Sequence, residues 1–220
     1  MPLAKDGSTV RAKRLPREVR ERQILDAAVT VFSRNGYHSA SMDEISEVAG
    51  ISKPMIYAYL GAKEDLFAAC IHREATRMLE AVVGGIEVGQ APDVQLWSGL
   101  RSFFGFVGEH RESWRVLHRQ SLTQGGPFTA EVMSMRQRAI TLIAAVLMQT
   151  GSDEGIGEAA SESGEALAAA LVGAAESLAD WWLDHPEDSA GAIAVRLMNL
   201  MWLGFGNLVE GKIWLPPSKR

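Results

Sequence analysis

Apolar positions recur at helical spacing through most of this 220-residue chain, and no segment shows the alternation typical of a strand. Between Ile24 and Phe32 they fall at i, i+3, i+4, i+7 and i+8, which predicts one face of a helix over about residues 17–34. Pro16 suits the start of that helix, and Asn35-Gly36 suits its end because both residues tolerate left-handed backbone. The pattern therefore predicts an all-α chain.

Two short helices are predicted next, joined at Gly50. At the start of the first, Ser41 and Glu44 predict a capping box. In it the Ser41 hydroxyl accepts from the Glu44 amide, and the Glu44 side chain accepts from the Ser41 amide. The buried stripe of this helix is predicted to contain Met42, Ile45, Val48 and Ala49.

The second short helix is predicted to begin after the N-cap Ser52 and to end before Gly61, with Pro54 tolerated in its first turn. Isolated helices shorter than about 12–15 residues are marginal in water, so both short helices need a third to pack on. Residues 17–34 supply it. The result is a three-helix helix-turn-helix unit, whose second short helix would enter the major groove of DNA.

The charge distribution fits an anionic partner at one end of the chain. The net charge is −5, yet residues 1–63 carry ten Lys or Arg against seven Asp or Glu, while the remainder carries twelve against twenty. This asymmetry predicts a basic end for DNA and an acidic body. Residues 1–15 form a basic arm that either contacts DNA or is a solvated tail without a partner.

The predicted recognition helix carries side chains suited to DNA. Ser52 and Lys53 lie at its N-terminus, where free amides and the helix dipole favour phosphate. Met55 is apolar and suits a thymine methyl, whereas Tyr57 and Tyr59 offer hydroxyls to phosphate and rings to sugar or thymine. The predicted DNA-binding residues are Ser41, Met42, Ser52, Lys53, Pro54, Met55, Tyr57, Tyr59 and Lys63.

Longer helices are predicted over the rest of the chain. One opens at residues 62–66 and continues to about Ala81. Further helices are predicted from residue 93 and over about 112–122, 128–149, 158–184 and 187–210. The expected organisation is a basic arm (1–15), a helix-turn-helix domain (16–67) and a larger helical domain (68–215).

Other kinds of chemistry find little support. Cys70 is the single cysteine, expected as a small buried apolar residue, and it fits a reducing cytoplasm. The five histidines have no HExxH spacing, and CxxC, GxSxG and P-loop motifs are absent from the sequence. We therefore predict no metal, no cofactor and no catalytic residue. Apolar stretches without charges are too short to span a membrane, so no membrane partner is expected.

Residues 50–67, GISKPMIYAYLGAKEDLF, resemble the signature of the tetracycline-repressor (TetR) family of bacterial regulators. Members commonly have Gly-Val-Ser-x-x-x-Leu-Tyr-x-His-Phe-x-x-Lys-x-x-Leu there. Tyr59 stands where His is usual and Leu60 where Phe is usual, and the resemblance extends over about residues 17–67. The directly matching positions are Gly50, Ser52, Tyr57, Lys63 and Leu66.

The resemblance implies a ligand-responsive transcription regulator in the cytoplasm. The expected form is a repressor that a small apolar or amphipathic effector releases from a palindromic double-stranded DNA operator. An activator or a co-repressor-dependent regulator of the same fold stays open. A helical small-molecule-binding protein or enzyme is a remote alternative. The implied effector contacts, each with core packing as its alternative, are Trp97, Phe104, Trp114, His118 and Met133.

The resemblance also implies that the larger domain forms a homodimer. The last two predicted helices have wide apolar faces, which a four-helix bundle between two copies would bury. Monomer core is the alternative for the same faces. A symmetric dimer would place its two recognition helices roughly 34–36 Å apart, one turn of DNA. The faces comprise Leu167, Leu171, Leu178, Trp181, Trp182, Ile193, Leu197, Leu200, Met201 and Phe205.

Overall fold

The computed structural model describes residues 16–120, 126–153 and 158–209. Within these ranges the regular elements are all helical, which confirms the all-α prediction. They are α1 (Arg17–Ser39), α2 (Met42–Ala49), α3 (Lys53–Leu60), α4 (Lys63–Gly85), α5 (Pro92–Glu109), α6 (Arg111–Trp114) continued by a π-helical segment (Arg115–Gln120), α7 (Gly126–Asp153), α8 (Glu158–Asp184) and α9 (Ala190–Val209). The basic arm, residues 1–15, lies outside the described residues.

The first helix is kinked where its end was predicted. Gly36 has φ 75° and ψ 165°, so the α-helical backbone is interrupted there, and one more turn follows to Ser39. The Ala40 amide then donates to the Gly36 carbonyl oxygen at 3.1 Å, which closes the helix. The left-handed φ explains why this position holds glycine.

Helices α1 to α4 enclose one core, which we term the N-terminal core. Large side chains from all four helices are buried in it, and the ring centres of Phe32 and Phe67 lie 4.8 Å apart, edge to face. The N-terminal core extends along α4 as far as Ala75, past the boundary predicted at residue 67. The fully buried side chains include Ile24, Phe32, Ile45, Ile56, Leu66, Phe67, Cys70 and Ile71.

Two predictions about small side chains in this core have different outcomes. Cys70 is buried as expected, and that burial raises the pKa of its thiol. Val48 was wrongly placed in the buried stripe of α2, since it is 52% exposed. Met42, Ile45 and Ala49 already form the inward face at spacings of three and four, and Val48 points about 100° away from Ala49.

A second core, the C-terminal core, lies between α5, α6, α8 and α9. Phe104 and Trp182 approach edge to face, with ring centres 6.3 Å apart. A smaller cluster of Ile140, Ala144 and Ala168 joins α7 to α8. The buried side chains of the C-terminal core are Leu100, Phe104, Val107, Trp114, Leu171, Ala175, Ala179, Trp182, Leu183, Ile193, Ala194 and Leu197.

The segment between the two cores belongs to both of them. Trp114, at the end of α6, is buried in the C-terminal core, whereas Val116 and Leu117 are buried in the N-terminal core. The single helix predicted over 112–122 is here one α-helical turn followed by a π-helical segment. Such segments are often found at functional sites.

The apolar faces predicted for the dimer are divided between core and surface. Leu171, Trp182, Ile193 and Leu197 are buried in the C-terminal core, so the single chain already uses them. Trp181 and Leu200 remain exposed, by 43% and 70%, as does Val195 at 45%. Leu167 is half-buried, and Leu178 and Met201 pack against the C-terminal core. Phe205 lies outside the residues whose side chains are described.

Among the described helices, residues 164–184 of α8 are the one stretch with the length and composition of a membrane span, at a mean hydropathy of 1.2. This stretch packs inside the protein through side chains such as Ala168 and Leu171. It also carries Glu176 and Asp180, which form ion pairs with arginines of neighbouring segments. These contacts show that the helix takes part in the packing of the protein.

Candidate nucleic-acid interface

The turn between α2 and α3 is fixed by backbone hydrogen bonds. Gly50 has φ 62° and ψ 29°, a left-handed conformation that favours glycine. The Gly50 amide donates to the Glu47 carbonyl oxygen and the Ile51 amide to the Ser46 carbonyl oxygen, both at 3.1 Å. The Gln23 side chain on α1 donates to the Ala49 carbonyl oxygen at 2.7 Å. The end of α2 is thereby tied to α1.

The capping box at the start of α2 is half formed. The Ser41 hydroxyl accepts from the Glu44 amide at 3.1 Å, as predicted. The Glu44 carboxylate does not close the box but accepts from the Asn35 side-chain amide at 2.7 Å. The packing of α2 on α1 brings this donor within reach, so the carboxylate links two helices instead of capping one.

Helix α3 is anchored by one buried residue and presents its other side to solvent. Ile56 is fully buried, while Ser52 and Pro54 are exposed and Tyr57 is 45% exposed. Ser52 occupies the predicted N-cap position, but its hydroxyl makes no capping bond. Its backbone carbonyl oxygen accepts from the Met55 and Ile56 amides at 2.9 and 3.1 Å. The hydroxyl, which has no partner among the described residues, is thus available to bind another molecule.

Lys53, the first residue of α3, is ion-paired with α2. Its Nζ lies 2.9 Å from Oδ1 and 3.0 Å from Oδ2 of Asp43. The Lys53 side chain is 39% exposed and that of Asp43 is 71% exposed, so the pair lies at the surface. The hydrogen bond to Asp43 raises the pKa of Lys53, which keeps the ammonium charged. The sequence alone did not predict Asp43 as a partner of Lys53, because the two residues lie on different helices and their contact depends on how those helices pack.

The remaining DNA-binding candidates are less accessible than expected. Met55 and Tyr59 are half-buried against the N-terminal core, and the Arg17 guanidinium lies 5.4 Å from the Tyr59 ring centre. Lys63 Nζ donates to the His38 carbonyl oxygen at 3.1 Å. Met42 was expected to contact DNA, but it is only 6% exposed and its side chain packs in the N-terminal core. The expected DNA contact of Met42 is therefore wrong.

These positions define a candidate DNA-binding surface. It combines the exposed hydroxyl at the start of α2 with a hydroxyl and an ammonium group at the start of α3, where amides and dipole favour phosphate, and with an aromatic ring further along α3. The surface comprises Ser41, Ser52, Lys53, Pro54 and Tyr57.

Four of the five effector candidates lie in or against the C-terminal core. Phe104 and Trp114 are buried and Trp97 is half-buried. The His118 ring stacks on Trp114 with centres 5.0 Å apart at 10°. Met133 does not join them, since it is 46% exposed on α7. Its neighbours Val132 and Met135 face the N-terminal core, which leaves Met133 on the solvent side. Met133 was therefore wrongly placed among the effector contacts.

Trp114 carries an unsatisfied polar group. The residue is only 2% exposed, and its buried indole Nε1 has no hydrogen-bond partner within the described residues. Leaving a buried donor unpaired costs about 1–3 kcal/mol. Phe103 packs edge to face on the same ring with centres 5.4 Å apart, so the surroundings are aromatic.

Both parts of the chain match known sequence profiles. Residues 24–70 match bacterial regulatory proteins of the tetR family, and residues 92–204 match the tetracyclin repressor-like C-terminal domain. The chain belongs to the TetR family. The first match contains the whole of α2 and α3, and the second covers more than half of the chain. This TetR-family protein is a DNA-binding transcription regulator.

Individual relatives agree with this assignment. A TetR-like transcriptional regulator from Rhodococcus sp. RHA1 is 46% identical in sequence, with a TM-score of 0.75 over 88% of this chain and 99% of that one. The transcriptional activator FasR of Mycolicibacterium smegmatis is 28% identical over 85% of this chain and 84% of FasR. FadR of Bacillus subtilis, solved in complex with stearoyl-CoA, is 18% identical with a TM-score of 0.72, covering 82% and 96% of the two chains.

Proposed function

We propose that this TetR-family protein is a repressor that binds a palindromic operator as a homodimer and leaves it when an amphipathic effector binds. The observation that carries the DNA half is the exposed side of α3, where Lys53 and Tyr57 project from a helix anchored by Ile56. A short helix fixed to a rigid core can enter the major groove without cost in local order. It acts in the cytoplasm by binding alone, without a catalytic step.

The proposed effector is a long-chain acyl-CoA, bound by the C-terminal domain beside Trp114. Two observations support this class. FadR, which has the same fold, was solved with stearoyl-CoA. The buried Trp114 Nε1 lacks an acceptor among the described residues, and a thioester carbonyl within an apolar setting would provide one. The ligand would thereby satisfy a polar group that the free protein leaves unpaired.

The DNA-binding half is tested by selecting duplexes from a random pool with the wild-type protein and measuring affinity for the selected site. Lys53→Ala and Tyr57→Ala should each weaken binding by about 1–3 kcal/mol, with circular dichroism unchanged. Arg101→Ala removes an exposed cation from α5 and should leave affinity unchanged. Full affinity in both α3 variants would contradict the assignment of α3 as the recognition helix.

The effector half is tested by titrating the protein–duplex complex with stearoyl-CoA, free CoA and stearate. Stearoyl-CoA should release the duplex at the lowest concentration. Trp114→Phe keeps the ring and removes the indole N–H, so the required concentration should rise about tenfold. Val88→Ala is the control, because Val88 is 82% exposed and lies outside the faces predicted for the dimer. An equal response of the wild-type protein to CoA alone would exclude recognition of the acyl chain.

A second candidate is activation of transcription, which the similarity to the activator FasR favours. Activation and repression use the same DNA-binding surface, and the position of the operator relative to the promoter decides between them. A reporter driven by the natural promoter region that contains the selected site, with the site in its own position, distinguishes them. Deleting the regulator should raise reporter transcription for a repressor and lower it for an activator.

A further inference from the structure

A polar contact joins the helix-turn-helix domain to the C-terminal domain, in addition to apolar packing. Glu112 of α6 lies beside two donors of α1. The Thr30 hydroxyl donates to Glu112 Oε2 at 2.8 Å, and the Arg34 guanidinium lies 3.5 Å from Oε1. Both oxygens of one carboxylate on α6 therefore face the helix on which α2 and α3 pack.

The two donors differ in how much they contribute. Thr30 is half-buried and the Glu112 side chain is 37% exposed, so their hydrogen bond is partly shielded from water. Hydrogen bonds to a charged group are stronger than those between neutral groups. The Arg34 side chain is 68% exposed, and an ion pair at such a surface contributes little. Thr30 is thus the main partner of Glu112.

The Thr30–Glu112 hydrogen bond restricts the two domains differently from the apolar packing beside it. Val116 and Leu117, in the π-helical segment that continues α6, are buried in the N-terminal core. Apolar burial is non-directional, so it holds the domains together but opposes a small rotation only weakly. A hydrogen bond weakens steeply once its atoms leave their alignment. The contact is therefore suited to fix the angle between α1 and α6.

This angle matters for a dimer on a palindromic operator, because each recognition helix must meet its own half-site. One base pair inserted between the half-sites moves the second by about 3.4 Å and turns it by about 34–36°. The dimer follows this change by rotating its DNA-binding domains against its C-terminal domains, which breaks the contact at Glu112. An operator of the correct spacing leaves the contact intact, because Glu112 is not part of the DNA-binding surface.

We propose that Glu112 sets the half-site spacing that the homodimer accepts, by holding α1 at one angle to α6. This inference rests on the proposed function, since it requires a dimer on a palindromic operator. Glu112 acts through the orientation of α1 and is a positioning residue. A duplex with the wrong spacing is bound only by the fraction of protein in which the contact is broken, so the contact lowers affinity for that duplex alone.

The experiment measures affinity for three duplexes. The first is a palindromic site that the wild-type protein selects from a random pool, the second has one base pair inserted at its centre, and the third contains a single half-site. Glu112→Ala should lower the ratio of the first affinity to the second about fivefold, because the state without the contact becomes more populated. Affinity for the single half-site should change less than about twofold, since the substitution leaves α3 as it is.

Two controls separate the contact from a general change in charge or stability. Glu109→Ala removes an exposed carboxylate three residues earlier, at the end of α5, and should leave the ratio unchanged. Thr30→Val keeps the shape of the side chain and removes the donor, so it should also lower the ratio, and it repeats the test if Glu112→Ala unfolds. In the Glu112→Ala background, Thr30→Val should have no further effect on the ratio.

Several results would overturn the inference. One is a ratio that neither substitution changes, and another is a wild-type protein that binds both spacings equally well. A higher affinity of Glu112→Ala for the selected duplex would show that the contact belongs to a state that does not bind the operator. A wild-type protein that selects no palindromic duplex would instead contradict the proposed function.

Discussion

At the scale of single residues, Glu74 is the one charged side chain that is fully buried among the described residues. Its carboxylate is fully buried on α4 and accepts from Arg73 Nε at 2.6 Å and from Arg77 at 2.9 Å. Arg73 also donates to Asp26 of α1 at 2.7 Å, so the group links two helices of the N-terminal core. A buried charge is tolerable only while its partners are complete.

We predict that Glu74→Gln lowers the free energy of unfolding by about 1–2 kcal/mol, because the neutral amide replaces charge-assisted hydrogen bonds to two arginines with weaker ones. The cost stays moderate because Arg73 and Arg77 keep 19% and 42% exposure and can be solvated. Urea denaturation followed by circular dichroism measures it. Glu80→Gln, an exposed site on the same helix, should change stability by less than about 0.5 kcal/mol. Equal effects would show that burial does not strengthen the Glu74 pairs.

At the scale of elements, the α2–α3 turn depends on one backbone conformation. Gly50 adopts positive φ, and a Cβ there would meet no atom within 4 Å. Any cost of a side chain at this position therefore comes from the backbone and not from a clash. Gly105 also has open space around its Cβ direction, but it lies inside α5 with helical backbone. The two glycines form a matched pair.

Gly50→Ala should destabilise the protein by about 1–2 kcal/mol, since left-handed backbone is unfavourable for residues with a Cβ. Gly105→Ala should stabilise it by up to about 1 kcal/mol, because alanine loses less entropy than glycine in a helix. Thermal unfolding of the two variants therefore moves the midpoint in opposite directions. A stabilising Gly50→Ala would contradict the left-handed turn.

At the scale of the whole molecule, two cores are connected through α4 and the π-helical segment. Trp114 contacts the C-terminal core, and the adjacent Val116 and Leu117 contact the N-terminal core. Arg119 fixes the end of this segment to α8, donating to Asp180 at 2.6 Å and to Asp184 at 2.8 Å. An effector beside Trp114 would thus act on a segment that already touches the DNA-binding domain.

The expected homodimer also belongs to the scale of the whole molecule, because it would bury side chains that the single chain leaves exposed. The single chain leaves Leu200 of α9 70% exposed, so its core does not depend on that side chain. Leu200→Glu should convert a dimer into a folded monomer, because a charge would be buried between the two copies. Light scattering during gel filtration measures the mass, and Val88→Glu, at a position 82% exposed outside the dimer faces, is the control. A Leu200→Glu protein that stays dimeric would place the interface elsewhere.

The sequence by itself determined the features that depend on neighbours along the chain. The helical periodicity, the Ser41 cap, the glycine turn at Gly50 and the burial of Ile45 follow from spacings of three and four residues and from backbone preference. Such interactions are complete within one or two turns. They were enough to predict the helix-turn-helix and, with the family resemblance, the class of regulator.

Only the tertiary structure decided which side chains become partners across helices. It paired Lys53 with Asp43, directed Glu44 to Asn35, and placed the end of α6 in one core and the π-helical segment that continues it in the other. It also placed Met133 on the surface. Each outcome depends on the relative position of helices distant in sequence, which periodicity does not encode. The residue types of the DNA-binding surface could therefore be predicted from the sequence, whereas the pairing of Lys53 with Asp43 arises from packing.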